Sequence, residues 1–283
     1  QLLLENQSMN LNEIAQRLNL SNAAITMHIR KLKEGGLLHI SSLPGKRGMQ
    51  KICCLDEDTI VIKLGGQILP DNSYETDINV GYYSNYQITP TCGLSSWNHF
   101  IGELDDPRYF ADTSRISAEI LWFHQGFVEY RLPNYLRPDQ ALSEIQLSME
   151  IGSEAPGYCQ DWPSDISFFF NDIFLGTWTS PGDFGDRSGL LNPPWWPNMN
   201  QYGLLKMISI NQNGTFLDGA KLSGVTLKDL NLNHHSDFIF RLSVAEDAKN
   251  VGGLTIYGQN FGNYKQGIRA RIICQPVRTA TQS

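Results

Sequence analysis

No apolar run in the chain approaches the roughly 20 residues needed to cross a bilayer, and no charged-then-apolar leader opens it, so no membrane span or signal peptide is expected. Cysteine is scarce. The five residues at 53, 54, 92, 159 and 274 are odd in number and scattered, which argues against a disulfide framework and for a reducing, cytoplasmic setting. Cys53 and Cys54 are neighbours on an expected strand, where they must face opposite ways, so two structural thiols are the favoured reading over a redox or metal pair. Charged residues make up only 18% against 41% apolar, which fits neither a disordered nor a fibrous chain but an ordinary soluble one, with room in 283 residues for two domains. Gln1 stands where a start methionine would, and Leu2-Leu3-Leu4-Glu5 reads as the end of a helix already under way, which predicts chain before it.

Charge of one sign is also unevenly spread. Residues 1–54 carry seven Lys and Arg against three acids, a local excess of four positive charges, although the whole chain stands at −7. A polyanion is therefore drawn to the first segment and repelled by the rest.

That first segment has the sharpest pattern. Asn10, three residues before Glu13, forms a capping box for a helix to about Leu18 whose apolar side is Ile14, Ala15 and Leu18. Ser21 caps a second helix in which Ile25, Ile29 and Leu32 recur at helical spacing and should face the core. Asn22, Ala23, Thr26, Met27 and Arg30 then lie opposite: short or polar groups for base edges and a cation for phosphate, as a recognition helix requires. Gly35-Gly36 stops the helix. Two strand-like runs follow, flanking Pro44-Gly45-Lys46-Arg47-Gly48, a basic hairpin tip that reads as a wing. Asn22, Ala23, Thr26 and His28 are the candidate base-contacting residues, and Arg30, Lys31, Lys46, Arg47 and Lys51 the candidate phosphate contacts. The alternative for such a match is an ordinary pair of packed helices; the ordered hairpin and the local charge favour double-stranded DNA.

The stretch LSNAAITMHIRKLKEGGLL is similar to the recognition segment of ArsR-type winged-helix regulators, with Ser21, Ile25, Thr26, His28, Ile29, Leu32, Gly36 and Leu37 at matching positions. The resemblance covers residues 1–64 and implies a homodimer on a palindromic operator, with Thr26 and His28 among the DNA-contacting positions. His28 also has a plain reading as a helix-surface histidine. Metal sensors of that family carry cysteines in or before this helix, whereas here none precedes Cys53, so metal sensing by that route is not expected.

Beyond about Ile68 the pattern becomes all-β. Short β-branched or aromatic runs at 118–132, 143–151, 165–178, 203–219, 225–232, 236–244, 253–258 and 268–274 are punctuated by turn residues, with Asn171-Asp172 and Asn213-Gly214 as hairpin turns and 105–118 as loop. The fold class expected is therefore α+β multidomain: a winged helix-turn-helix over 1–64, then an all-β jelly-roll-like sandwich over 65–283. Val128-Glu129-Tyr130-Arg131-Leu132-Pro133, the run Leu142 to Ile151, Trp162 to Ile166, and Asn171 resemble in order the phrases of galactose-binding-like jelly rolls. Such folds host carbohydrate binding, protein contacts and purely structural roles.

Residues 177–203 form an aromatic loop with three tryptophans and four prolines. A sugar-like effector would use Trp178, Trp195, Trp196 and Tyr202 as a platform, with Asn171, Asp183, Asp186 and Arg187 bonding its hydroxyls. Equally, these aromatics cover an open end of the sandwich or form a dimer contact. Nothing marks an enzyme: no Ser-His-Asp pattern or phosphate loop appears, and which carboxylates converge is not visible. His234-His235 reads as a solvated turn, and Gly252-Gly253 and Gly258 to Gly262 lie among strands. No cofactor or metal is expected.

Overall fold

Asn10 opens the main helix pair of the N-terminal unit as its capping box requires. Its backbone N–H donates to Glu13 Oε2 at 2.8 Å, and the Glu13 N–H donates to Asn10 Oδ1 at 2.9 Å. The computed structural model describes residues 2–6, 8–45, 48–55 and 72–276. It divides into two units, Gln1–Gly66 and Gln67–Ser283.

In the first unit a short helix α1 (Leu2–Asn6) and strand β1 (Ser8–Asn10) precede helices α2 (Leu11–Leu18) and α3 (Asn22–Glu34) and the antiparallel hairpin β2 (Leu38–Gly45) and β3 (Gly48–Leu55). β1 pairs with β3, giving a three-stranded sheet in the order β1-β3-β2. Asn19, in the left-handed conformation at φ 53°, ends α2, and Gly36 at φ 70° ends the turn after α3. Met9, Ile14, Ala15, Ile25, Ile29, Leu38 and Cys53 form the small core. Leu18 and Leu32, both expected inside, are 49% and 40% exposed. Each sits in the last turn of its helix, beyond the reach of a core that closes at Ile29 and Leu38. Cys53 is buried and Cys54 half-buried, as opposite faces of one strand demand, and both are free thiols.

The second unit is mostly β. One half of its 12-stranded sheet joins β4 (Ser73–Ile78), β15 (Ile268–Pro276), β7 (Gln140–Gly152), β10 (Leu204–Asn211), β11 (Gly214–Leu217) and β12 (Ala220–Ser223). The other joins β5 (Asn85–Ser95), β6 (Ile120–Leu132), β13 (Phe238–Val244), β8 (Ser164–Phe170) and β9 (Ile173–Ser180). The short β14 (Leu254–Tyr257) bridges them by pairing with both β6 and β7. Inward residues of both halves share one cluster, among them Ile145 and Leu147 of β7, Phe168 and Phe170 of β8, and Phe238, Phe240 and Leu242 of β13. The alternation expected at 238–244 is complete: Phe238, Phe240, Leu242 and Val244 are buried and their neighbours are not.

Two sequence expectations change. Residues 225–232 were expected as a strand, but Leu227–Leu230 is a helical turn, α4. The Thr226 N–H and hydroxyl both donate to Asp229 Oδ2, at 2.8 and 2.7 Å, a local capping interaction that outweighs the β-branched start of the segment. Strands β4 and β5 fall outside the expected runs. Among the described residues β4 pairs only with β15, and it is polar, held by ion pairs from Arg271 to Glu75 and from Arg269 to Asp77, so it carries little apolar signal.

Candidate nucleic-acid interface and aromatic loop

Helix α3 has one face turned inward and one free. Ile25 and Ile29 are buried at 2% and 6% exposure, while Asn22, Ala23, Thr26, Met27 and Arg30 are all exposed. At about 100° per residue these five span roughly 140° of the helix surface. Lys33, eleven residues after Asn22, returns to the Asn22 side of that face and is exposed too. Lys31 borders the face beside Met27. His28 is exposed but sits roughly 160° around the helix from Thr26, between Lys31 and Leu32, so the two cannot share one line of contact.

Within the face, the Thr26 hydroxyl donates to the Asn22 carbonyl at 2.7 Å, and Arg30 pairs with Glu34 at 3.2 Å with both side chains well solvated. So exposed a pair is weak and easily exchanged for another anion. Lys51 is exposed on β3. Lys46 and Arg47 lie outside the described residues. The chemistry of this face is hydrogen bonding, methyl contact and positive charge.

In the second unit the eight candidates fall into separate groups. Asn171 lies at the β8–β9 turn with φ 46°, and its amide is spent on the backbone: Nδ2 donates to the Asp237 carbonyl at 2.6 Å and Oδ1 accepts from the Ile239 N–H at 2.8 Å. The aromatic loop leaves the opposite end of that hairpin, where Ser164 pairs with Ser180, roughly 25 Å away by strand rise. Asn171 is therefore not part of a common pocket. Trp178 is half-buried on the main core, with the Lys206 ammonium 4.6 Å from its ring centre.

Asp186, Arg187 and Tyr202 do meet. The Tyr202 hydroxyl donates to Asp186 Oδ1 at 2.6 Å, and the Arg187 guanidinium lies 4.2 Å over the Tyr202 ring, which also stacks on Phe184 at 5.3 Å. That bond holds the Asp186 carboxyl below its usual range, while burial, followed by the bond to Asp186, pushes the Tyr202 phenol up to about 12. The ring is already stacked upon by two neighbours and offers no open platform.

Trp196, 8% exposed, belongs to an aromatic cluster with Ile120, Trp122, Tyr257 and Phe261, and Phe100 packs on it at 5.3 Å. Trp195 is 38% exposed; its indole N–H donates to the Trp97 carbonyl at 2.7 Å, and Trp97 is itself 45% exposed. The indoles left open to solvent are thus Trp195 and Trp97.

Asp183 is buried rather than available. Its Oδ2 accepts from the Ala155 N–H at 3.1 Å, but Oδ1 has no hydrogen-bond partner among the described residues, and burial pushes the carboxyl up to about 8. Ser153 Oγ, Asn200 Oδ1 and Tyr257 OH are likewise buried and unpartnered among the described residues. Two further buried carboxyls belong to the same end of the unit. Glu150 accepts from the N–H groups of Gly203, Asn263 and Tyr264, each at 2.9 Å, and Glu154 accepts from the Thr91 hydroxyl at 2.6 Å. Burial raises both to about 7.

A family model described as an HTH domain matches residues 1–50. Within that span α2 and α3 form a helix-turn-helix. No curated protein matches the chain. Among solved structures the chain is similar, at 10% identity and a TM-score of 0.30, to an endo-1,3-beta-glucanase from Streptomyces sioyaensis, over 74% of this chain and 99% of that one. It is similar also to dimeric latent PorU from Porphyromonas gingivalis, at 10% identity and a TM-score of 0.27, over 87% of this chain and 18% of that one. A third is the carbohydrate recognition domain of Emp47p, at 11% identity and a TM-score of 0.17, over 74% and 89%. Likeness at this level assigns nothing to the second unit.

For the helix-turn-helix, sequence reasoning missed Lys33, although helical spacing from Asn22 was enough to place it. In the second unit it missed Trp97, whose phrase Trp97-Asn98-His99-Phe100 follows a strand directly and carried a usable signal. Glu150 had no such signal. The buried alternation Ile145, Leu147, Met149 puts it on the outward side of β7, and its hydrogen-bond donors come from the distant segments at 203 and 263–264.

Proposed function

We propose that the chain is a sequence-specific transcriptional regulator that binds double-stranded DNA through α3 and the β2–β3 hairpin, used as a winged helix-turn-helix. The observation that carries this reading is the free face of α3, where Asn22, Ala23, Thr26, Arg30 and Lys33 line up on a unit that matches a helix-turn-helix family. Arg30, Lys31, Lys33, Lys46, Arg47 and Lys51 contact phosphates, and Asn22, Ala23 and Thr26 lie nearest the bases. His28 is left at the edge. The regulator works as a homodimer on a palindromic operator, in the cytoplasm where the DNA is.

The β unit, a jelly-roll-like sandwich in this reading, senses a small ligand, with a carbohydrate as the class that solvent-facing indoles serve best. Trp195 and Trp97 offer the stacking surface, and Asp186 and Arg187 are exposed charged residues on the loop that carries Trp195. Ligand binding alters the spacing of the two DNA-binding heads, by no more than the ligand's differential affinity for the two arrangements. The filled faces of Tyr202 and the burial of Trp196 favour a second reading, in which the β domain is a carbohydrate- or protein-docking module without allosteric output. A ligand that binds the whole chain yet leaves operator affinity unchanged selects that second reading.

The DNA claim is tested by fluorescence anisotropy of a labelled duplex titrated with the full chain across a salt series. Affinity should fall steeply with salt, and Arg30→Ala should weaken binding and reduce the salt slope by about one. Binding that ignores both salt and Arg30 would contradict the interface drawn here.

A further inference from the structure

The inference that follows rests on the DNA reading above and concerns what α3 recognises. Three neighbouring exposed positions of the free face carry methyl groups. Ala23 and Met27 are one turn apart, and Thr26 lies beside them. Met27 is 49% exposed, a large flexible apolar side chain standing in water on the side of the helix away from Ile25 and Ile29. Thr26 looks like a hydrogen-bonding residue in the sequence, but its one hydroxyl proton is committed to the Asn22 carbonyl at 2.7 Å. It can accept a bond, but the other group it has to offer is its methyl. Arg30, at the end of the strip, reaches back to Glu34 at 3.2 Å and serves as a point of positive charge. Asn22, exposed at the start of the face, carries its one amide and can bond a base edge.

In the major groove only thymine presents a methyl group, and apolar side chains contact it, while Asn pairs with the N6/N7 edge of adenine. We infer that Ala23, Thr26 and Met27 form a thymine-reading strip, so that each operator half-site carries neighbouring thymines, with Met27 the main determinant and adenine favoured beside them at Asn22. This adds Met27, as a specificity residue, to the base-contacting candidates Asn22, Ala23 and Thr26. It also makes the methyl of Thr26, rather than its hydroxyl, the group that meets the base.

The test replaces thymine by uracil, which removes only the methyl, one position at a time in a duplex that the full chain binds. Wild-type affinity should drop roughly three- to tenfold at each contacted position and not at others. Met27→Ala, whose side chain contributes nothing to the core, should bind the thymine and uracil duplexes alike at its own position. Met27→Gln, which keeps the length and loses the apolar end, should behave the same way. Equal wild-type affinity for thymine and uracil duplexes at every position overturns the inference while leaving DNA binding intact. Unchanged discrimination in both Met27 variants removes Met27 from it. No retention of any duplex overturns the DNA reading itself.

Discussion

Asp183→Asn is expected to remove much of a steep loss of stability that the β unit suffers as pH rises from about 4 to about 8. The sign follows from the direction of the shift. An ordinary aspartate in the unfolded chain ionises near 3.8, but the buried Asp183 holds its proton to about 8. Between those values unfolding releases a proton, so each rise in pH favours the unfolded chain until the folded carboxyl also ionises. The accumulated loss is on the order of 5 kcal/mol for a shift of this size, at about 1.4 kcal/mol per pH unit. Glu150 and Glu154, raised to about 7, act in the same direction, but Glu150 is compensated by three backbone N–H donors. Asp183 has one such donor and an oxygen with no partner among the described residues. An asparagine there keeps the acceptor for Ala155 and cannot ionise. Urea unfolding followed by tryptophan fluorescence at several pH values should give a flatter stability profile for the variant and a more stable protein at about pH 8. Parallel profiles for the two proteins would show that Asp183 is ionised in the fold.

Trp196→Ala should cost about 3–5 kcal/mol, the range for emptying a buried aromatic site, whereas Trp195→Ala should cost far less. Trp196 is ringed by Phe100, Trp122 and Phe261, with the Phe261 ring 4.8 Å away, and its indole N–H donates to the Asn200 carbonyl at 3.1 Å. Removing it leaves a void in a cluster with little else to fill it, and frees the backbone at Asn200. Trp195 contributes an edge to Phe100 and the bond to Trp97, but much of its ring is already in water. Melting curves of the two variants separate the roles that the sequence had merged in one Trp-Trp pair. If Trp195→Ala proves as damaging as Trp196→Ala, the second indole is also structural and the ligand surface proposed here loses its centre.

How far the sequence could be read depended on the range of the interaction that decides each feature. The Asn10 and Glu13 capping box lies within four residues, and it was legible and formed as expected. So was the buried phase of Ile25 and Ile29. Leu18 and Leu32 continue the same phase but stay largely exposed, because the size of the core is a property of the assembled unit and not of either helix. The helical turn at 227–230 is legible in principle from Thr226 and Asp229, but the β-branched Val225-Thr226 start points to a strand. Asp183, Asp186 and Tyr202 show the limit most clearly. They stand close in one loop, and nothing local says that the first is buried without a full set of partners, while the third has its ring faces taken by Arg187 and Phe184. Asn171 was misplaced for a related reason. A hairpin turns its residues away from one end of a sheet and toward the other, and adjacency in sequence does not reveal which end the loop shares.

The most direct test of the account is selection of duplexes from a random-sequence pool by the full chain, repeated at low and moderate salt. The account predicts enrichment of a palindromic site, with half-sites spaced by about one helical turn and retention that falls steeply with salt. Failure to retain any duplex at low salt, or retention with no enriched sequence, would contradict it.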